Sequence, residues 1–65
     1  MDFKEFFPGM HVQDIGGKFK GRKGFVTIVD PDKNVLVEFG GQTKSYAEDE
    51  FGLLVQIPGG TDEQR

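Results

Sequence analysis

Several residue types that stabilise very small domains are missing from this sequence. Cysteine and tryptophan are absent, and histidine occurs once, as His11. Disulfides and a structural metal are therefore excluded as supports for a chain of 65 residues, because a metal needs several converging ligands. A domain of this size is only marginally stable on its own core, so local strand pairing, compact packing or a partner surface must hold the fold.

Long apolar runs are also missing, since no run of apolar residues exceeds four. A membrane span needs about 20 such residues and a signal peptide about 7–15, so we expect neither, and we expect a cytoplasmic protein. The glycine-rich loops lack the phosphate-binding GxxxxGK[ST] pattern. The sequence therefore predicts no enzyme, no cofactor and no small-molecule substrate.

Glycine and phenylalanine are abundant instead. Ten glycines and seven phenylalanines accompany a single alanine, Ala47, a composition typical of short strands joined by tight turns. The formal net charge is −3, so the molecule as a whole does not resemble a basic nucleic-acid binder. The charges are unevenly placed, because four cations fall within the six residues 18–23, which hold no acid.

Alternation of apolar and polar residues predicts short strands. They cover residues 10–15, 25–29, 35–39, 42–47 and 53–57. The polar, glycine-rich stretch 16–24, called the basic loop below, connects the first two strands. A turn is predicted at Asp30 to Asn34, with Asn34 in the left-handed conformation, and a two-residue hairpin turn at Gly40-Gly41. The acidic stretch from Glu48 to Phe51 is predicted to form one turn of 3₁₀ helix.

This order of elements predicts an all-β fold, a small five-stranded SH3-like barrel with a one-turn 3₁₀ helix before the last strand. Residues 9–57 form the predicted barrel, residues 1–8 a phenylalanine-rich segment and residues 58–65 a disordered tail. The alternative architecture is an OB-fold, which also has five strands but commonly needs longer ones. The predicted core comprises Val12, Val26, Ile28, Val35, Val37, Phe39, Phe51, Leu53 and Val55.

Parts of the sequence resemble the KOW motif of ribosomal proteins and of NusG-type transcription elongation factors. The matching stretches are Gly9 with Val12, residues 17–26, residues 29–31 and residues 35–39, and Gly24 takes the position of the motif's glycine. Residues 39–43, followed by Phe51 and Leu54, are similar to the C-terminal barrel of those elongation factors. The resemblance covers about residues 9–55 and implies an SH3-like barrel that binds RNA or protein.

Two further comparisons bear on the partner. Ribosomal members of that family are strongly basic, whereas this chain is acidic. The barrels of the elongation factors bind protein partners, and an acidic barrel can bind proteins equally well. Residues 45–51 are also similar to the ending of SH3-like subunits of cyanobacterial electron-transfer complexes, namely photosystem I subunit IV and the variable chain of ferredoxin–thioredoxin reductase. That second resemblance implies a docking subunit without a cofactor.

The basic loop is the main candidate site. Its cations are suited to phosphates, and Phe19 among them is expected to be exposed and to stack on a base. The same charges would also serve as an electrostatic dock for an acidic protein, or simply as a solvated loop that protects an edge. The candidate binding residues are Lys18, Phe19, Lys20, Arg22, Lys23 and Tyr46.

Local structure explains the other polar groups better than function does. His11 is interpreted as a surface histidine, because no second ligand is spaced for a metal site. Asp30 and Asp32 are expected to form their turn, and the acids at 48–50 suit the start of a helical turn, although they could also recognise a basic partner.

Three N-terminal phenylalanines exceed what a small barrel can enclose. Phe7 is expected to cap one open end of the barrel. Phe3 and Phe6 either join that cap or form an exposed patch for a partner.

The leading hypothesis is a non-enzymatic, KOW-like adaptor that contacts RNA or a transcription or translation protein through the basic loop. The alternative is a docking subunit of a larger protein complex, photosynthetic electron transfer included, and a purely structural barrel is a third option. The oligomeric state is left open by the sequence.

Overall fold

The computed structural model describes residues 2–58, which form five antiparallel strands and two short 3₁₀ turns. The strands are β1 (His11–Asp14), β2 (Lys23–Asp30), β3 (Asn34–Glu38), β4 (Thr43–Tyr46) and β5 (Leu54–Gln56). One 3₁₀ turn precedes them (Phe3–Glu5), and the second lies between β4 and β5 (Glu48–Leu53). Within residues 2–58, no helix has the length and apolar character needed to cross a membrane. The predicted tail lies outside the described residues, apart from Pro58.

The strands form one sheet in the order β4-β3-β2-β1-β5, and every neighbouring pair is antiparallel. The edge strands β4 and β5 are joined along the chain by the second 3₁₀ turn, but no pairing between them is found in the described part of the chain. The predicted all-β fold and the 3₁₀ turn before the last strand are therefore confirmed. Closure of this sheet into a barrel stays a prediction.

Two turns set the β2–β3–β4 meander. Gly40 and Gly41 have φ angles of 62° and 100°, and the Phe39 amide donates to the Gln42 carbonyl at 2.7 Å, which confirms the predicted two-residue turn. In the β2–β3 turn the left-handed residue is Lys33, with φ 65°, whereas Asn34 already belongs to β3. The prediction for Asn34 was therefore wrong by one position.

A β-bulge changes which side chains of β2 face the core. Val26 pairs with Val37, yet the next pair is Ile28 with Leu36, so the register shifts at Thr27. Because one extra residue reverses the alternation, Ile28 turns to the outer face of the sheet, where 54% of it is exposed. The prediction of Ile28 as a core residue was wrong for this reason.

The core lies on the inner face of the sheet and beneath the second 3₁₀ turn. Because that turn continues through Leu53, β5 begins one residue later than predicted, and Leu54 is buried in place of Leu53 and Val55. The buried apolar side chains are Phe6, Met10, Val12, Val26, Val35, Val37, Phe39, Tyr46, Phe51 and Leu54.

The N-terminal segment covers one end of this core. Phe6 is buried, with its ring centroid 4.9 Å from that of Phe51, and Phe3 stacks on the same ring at 6.2 Å. The chain is extended at Phe6, so the next side chain, Phe7, points away and is 51% exposed. The expectation that Phe7 forms the cap was wrong, since Phe6 takes that place.

Candidate binding surface at the basic loop

The basic loop is a folded element with its own hydrogen bonds. At its base, the amide of Asp14 donates to the Arg22 carbonyl at 3.1 Å, and the Gly21 amide donates to the Asp14 carbonyl at 2.6 Å. Two turns follow inside the loop, where the Lys20 amide donates to the Gly17 carbonyl and the Arg22 amide to the Phe19 carbonyl, at 3.1 and 2.9 Å. The cations of the loop are therefore carried on an ordered backbone.

The carboxylate of Asp14 holds this loop from the inside. Asp14 is fully buried, and its Oδ1 accepts hydrogen bonds from the amides of Gly16 at 2.9 Å and Gly17 at 2.6 Å. Its Oδ2 accepts from the Phe19 amide at 3.2 Å and from the Tyr46 hydroxyl at 2.7 Å. A buried carboxylate is tolerated only when such donors surround it, so Asp14 and the loop backbone require each other.

The protonation states follow from this geometry. Burial raises the pKa of Asp14, but the hydrogen bonds from Tyr46 and from the loop amides outweigh it, so its pKa lies below the ordinary value. Burial, together with the bond to the Asp14 carboxylate, raises the pKa of Tyr46. Asp14 is therefore ionised and Tyr46 neutral at pH 7. Tyr46 is also completely buried, so the structure gives this predicted binding residue a structural contact with Asp14 and no exposed surface.

Arg22 ties the loop to the β3–β4 hairpin. Its Nη2 donates to the Phe39 carbonyl at 2.7 Å, and its Nη1 donates to Oε1 of Gln42 at 3.1 Å. The guanidinium carbon also lies 5.1 Å from the centroid of the Phe19 ring. The guanidinium thus already has partners within the chain, and Arg22 is first of all a clamp between two segments.

Phe19 is half-buried, in contrast to the expected exposed ring. Its ring packs against Phe39, with centroids 4.8 Å apart, and the cations of Arg22 and Lys18 lie 5.1 and 5.7 Å from its centroid. These contacts engage one side of the ring, so a base could reach only the part of Phe19 that lines the groove facing β4.

The lysines of the loop keep their charges in solvent. Lys18, Lys20 and Lys23 are exposed, and the ion pairs found between residues 2 and 58 involve other lysines, Lys33 and Lys44. Lys23, however, opens β2, and alternation with the inward-facing Gly24 places it on the outer face of the sheet. The structure therefore does not bring all the predicted site residues together.

Lys18 and Phe19 face β4 across an open groove of about 560 Å³. The opposite wall is formed by Gln42, Thr43, Lys44 and Ser45. Lys44 lies half-buried there, with its Nζ 3.5 Å from Oε2 of Glu50 and 4.4 Å from the centroid of the Tyr46 ring. The hydrogen bond from the Ala47 amide, assisted by Lys44, keeps the pKa of Glu50 below its ordinary value.

The outer edge of β4 borders the groove and presents backbone hydrogen-bonding groups. Phe39 and Gln42 close the hairpin with a direct bond, and hydrogen-bonded pairs alternate with non-bonded pairs in an antiparallel ladder. Lys44 is accordingly bonded to Val37, and the backbone groups of Thr43 and Ser45 point away from β3. The Ser45 carbonyl accepts from Lys44 Nζ at 3.2 Å.

Two glycines are required by close contacts at the loop. A Cβ on Gly17 would lie 2.7 Å from Oδ2 of Asp14, and one on Gly24 would meet the Glu38 carbonyl oxygen and lie 2.8 Å from Cδ1 of Phe39. The position that the KOW resemblance assigns to a glycine is thus one that excludes any side chain.

Asp14 was missed by the sequence interpretation, although a signal for it exists. In a strand that alternates, Asp14 lies on the same side as Met10 and Val12, and it directly precedes Ile15 and Gly16-Gly17. An aspartate on the inner face of a strand, followed by glycines whose amides can approach it, is the pattern of a carboxylate that anchors a loop.

The polar residues for which we expected structural roles, His11 and the aspartates of the β2–β3 turn, make local contacts. His11 is half-buried, with its ring centroid 6.3 Å from that of Phe25, and no cluster of three metal-ligand residues occurs among the described residues. Oδ1 of Asp30 accepts from the Asp32 amide at 2.9 Å, as its turn role requires.

No family model, curated protein or solved structure matches this chain. The residues and geometry above are thus the basis on which a function can be proposed.

Proposed function

We propose that this chain is a non-enzymatic adaptor module that binds an acidic segment of a protein partner along the groove between the basic loop and β4. The observation that carries the proposal is the placement of Lys18, a solvent-exposed cation on an ordered loop, across an open groove from β4, whose outer edge pairs with no other described strand. Lys20 is a second exposed cation on the same loop. The KOW resemblance supports a partner from the transcription or translation machinery.

Recognition would combine two weak effects. The outward backbone groups of β4 can pair with an extended segment, which supplies affinity independent of sequence. The lysines then select acidic side chains on that segment and speed the encounter. The net charge of −3 does not cancel this attraction, because screening at physiological salt limits each charge to about 8 Å.

RNA is the second candidate, favoured by the same exposed lysines. Its binding would be mainly electrostatic, because Phe19 packs against Phe39 and Arg22 is engaged by the hairpin. The ring and the guanidinium that would read a base thus already have partners within the chain. A docking subunit of a larger complex would use the same surface as the acidic-segment proposal and differs from it only in the identity of the partner.

The test compares two fluorescent probes by anisotropy, an extended peptide of alternating glutamate and valine and a single-stranded RNA. The variant Lys18→Glu/Lys20→Glu is expected to bind the peptide at least about tenfold more weakly, equivalent to about 1.4 kcal/mol. Lys4→Glu/Lys33→Glu makes the same change in net charge at exposed sites elsewhere and is the matched control. Arg22 is left unchanged, because its loss would also disturb the hairpin.

Amide chemical shifts locate the binding. Peptide-induced changes confined to residues 17–22 and 42–46 support the proposal. Equal peptide binding by the loop variant and its control would refute it. Binding of RNA but not of peptide selects the second candidate. If the protein contacts two phosphates, its affinity for RNA should then fall roughly sevenfold as the salt concentration rises from about 50 to 200 mM.

A further inference from the structure

The outer face of the sheet carries an apolar patch that the core does not use. Phe25 is 40% exposed and Ile28 54% exposed, and both lie on the outer side of β2. Leu36, the cross-strand partner of Ile28, is half-buried beside them. The patch exists because of the bulge at Thr27, without which Ile28 would face inward.

Solvated faces of antiparallel sheets are ordinarily polar, so adjacent exposed phenylalanine and isoleucine side chains indicate a contact surface. Its borders are polar, since Phe25 pairs with His11 on one side and with Glu38 on the other. This surface is distinct from the groove, whose walls contain none of these residues.

The charges along β2 point to the occupant of the patch. Lys23 shares the outer face with Phe25, and after the bulge Asp30 shares it with Ile28, because Val29 pairs inward with Val35. The row on the outer face therefore reads Lys23, Phe25, Ile28, Asp30, with a positive charge at one end and a negative charge, on the half-buried Asp30, at the other. When two such rows lie antiparallel, each charge faces the opposite charge and each apolar side chain faces an apolar side chain.

We propose that this face joins two copies of the chain in a two-fold symmetric dimer, with the β2 rows antiparallel. Phe25 of each copy then packs on Ile28 of the second copy, and Lys23 meets Asp30 at both ends, as an isologous interface requires. The apolar patch is small, so the dimer is weak and concentration-dependent. The groove stays open on each copy.

The symmetry gives a test by mixing, read out by sedimentation equilibrium. Lys23→Glu alone places two acids together at each end of the dimer, and Asp30→Lys alone places two cations together. Each variant is expected to self-associate at least about tenfold more weakly than the parent chain. In an equimolar mixture both end pairs become opposite in charge, so the heterodimer is expected to recover parental affinity.

Circular dichroism checks that both variants fold, because Oδ1 of Asp30 also accepts a bond within its turn. Ile28→Thr, a change at an exposed strand position, is a second variant that leaves the turn intact and is expected to abolish association. A parent chain that stays monomeric at millimolar concentration would overturn the proposal, as would a mixture no more associated than its components. The peptide and RNA assays do not depend on this outcome, because the residues that they alter, Lys18 and Lys20 with Lys4 and Lys33 in the control, lie outside the β2 row.

Discussion

Replacing Asp14 by asparagine should reveal how much of the fold depends on one carboxylate. Its two oxygens accept three amide bonds and the bond from the Tyr46 hydroxyl. Asparagine keeps one acceptor and presents an NH₂ group where Oδ2 was, facing the Phe19 amide, which is itself a donor. A bond to a charged group contributes about 1.5–3 kcal/mol, and an unsatisfied buried donor costs about 1–3 kcal/mol, so we expect a loss of about 2.5–6 kcal/mol.

That loss is large on the scale of the whole domain. At about 0.05–0.15 kcal/mol per residue, a chain of 65 residues has a free energy of unfolding of roughly 3–10 kcal/mol. Urea unfolding followed by far-UV circular dichroism measures the change, and Tyr46, as the single tyrosine, adds a fluorescence signal at the site itself. An unfolding free energy within about 0.5 kcal/mol of the parent would refute the anchoring role, since that is the range of ordinary surface substitutions.

Tyr46→Phe provides the matched comparison, because it removes the hydroxyl and keeps the buried ring. We expect it to lower the unfolding free energy by about 1–2 kcal/mol. The double variant with Asp14→Asn should lose less than the sum of the two single changes, because both remove the same bond. Additive losses would mean that the two side chains act independently.

Acid should act through the same group. Because the folded state lowers the pKa of Asp14 below its ordinary value of 3.8, the unfolded chain binds more protons near that pH. The contribution of Asp14 is therefore complete above about pH 4 and is lost as the pH falls through its lower folded pKa. Unfolding curves should show a smaller loss of stability on acidification below pH 4 in Asp14→Asn than in the parent, with the remainder due to other carboxyls such as Glu50.

Two further predictions concern the backbone, both read as shifts of Tm and of the urea midpoint. Gly24→Ala should destabilise the fold by about 2–3 kcal/mol, because the added Cβ would clash with the Glu38 carbonyl. Gly52→Ala is the control, because a Cβ there meets nothing within 4 Å, and it should not destabilise. Equal effects of the two changes would disprove the steric account. Lys33→Gly should stabilise the fold by about 0.5–1 kcal/mol, because glycine adopts a φ of 65° without strain. Lys33→Ala keeps the unfavourable φ and should not stabilise the fold. A loss of stability in both variants would mean that the exposed ion pair with Glu48 outweighs the strain.

The turns of this fold could be predicted because their chemistry is local. Gly40-Gly41 and the acidic stretch before the last strand determine their own conformations, so their positions were right from the sequence. The errors lie where the inward and outward alternation of side chains along a strand is interrupted or shifted. The bulge at Thr27 reversed Ile28, and the extension of the 3₁₀ turn through Leu53 shifted the buried position of β5 to Leu54. Neither event has a local sequence mark, because both depend on cross-strand packing.

The basic loop was located correctly as a segment, but its internal assignments depended on tertiary contacts. A cation next to an aromatic ring in sequence is compatible with phosphate and base binding, and equally with packing inside the chain. Phe19 and Arg22 contact Phe39, which directly follows β3. No spacing in the sequence reveals that Phe39 lies close to the loop. Exposed Lys18 and Lys20 were predictable, because their high charge density and flexible stems leave them in water in most settings.

The order of the loop connects stability with binding. Fixing the backbone of one residue costs about 1–2 kcal/mol, so a disordered loop would have to spend much of its interaction energy on ordering when a partner arrives. Here Asp14, through three loop amides, and Arg22, through the hairpin, impose that order during folding. In the proposed function, the buried carboxylate is therefore a condition for the groove between the basic loop and β4 to bind at useful affinity. Affinity and stability should fall together when Asp14 is protonated, even though Asp14 touches no partner.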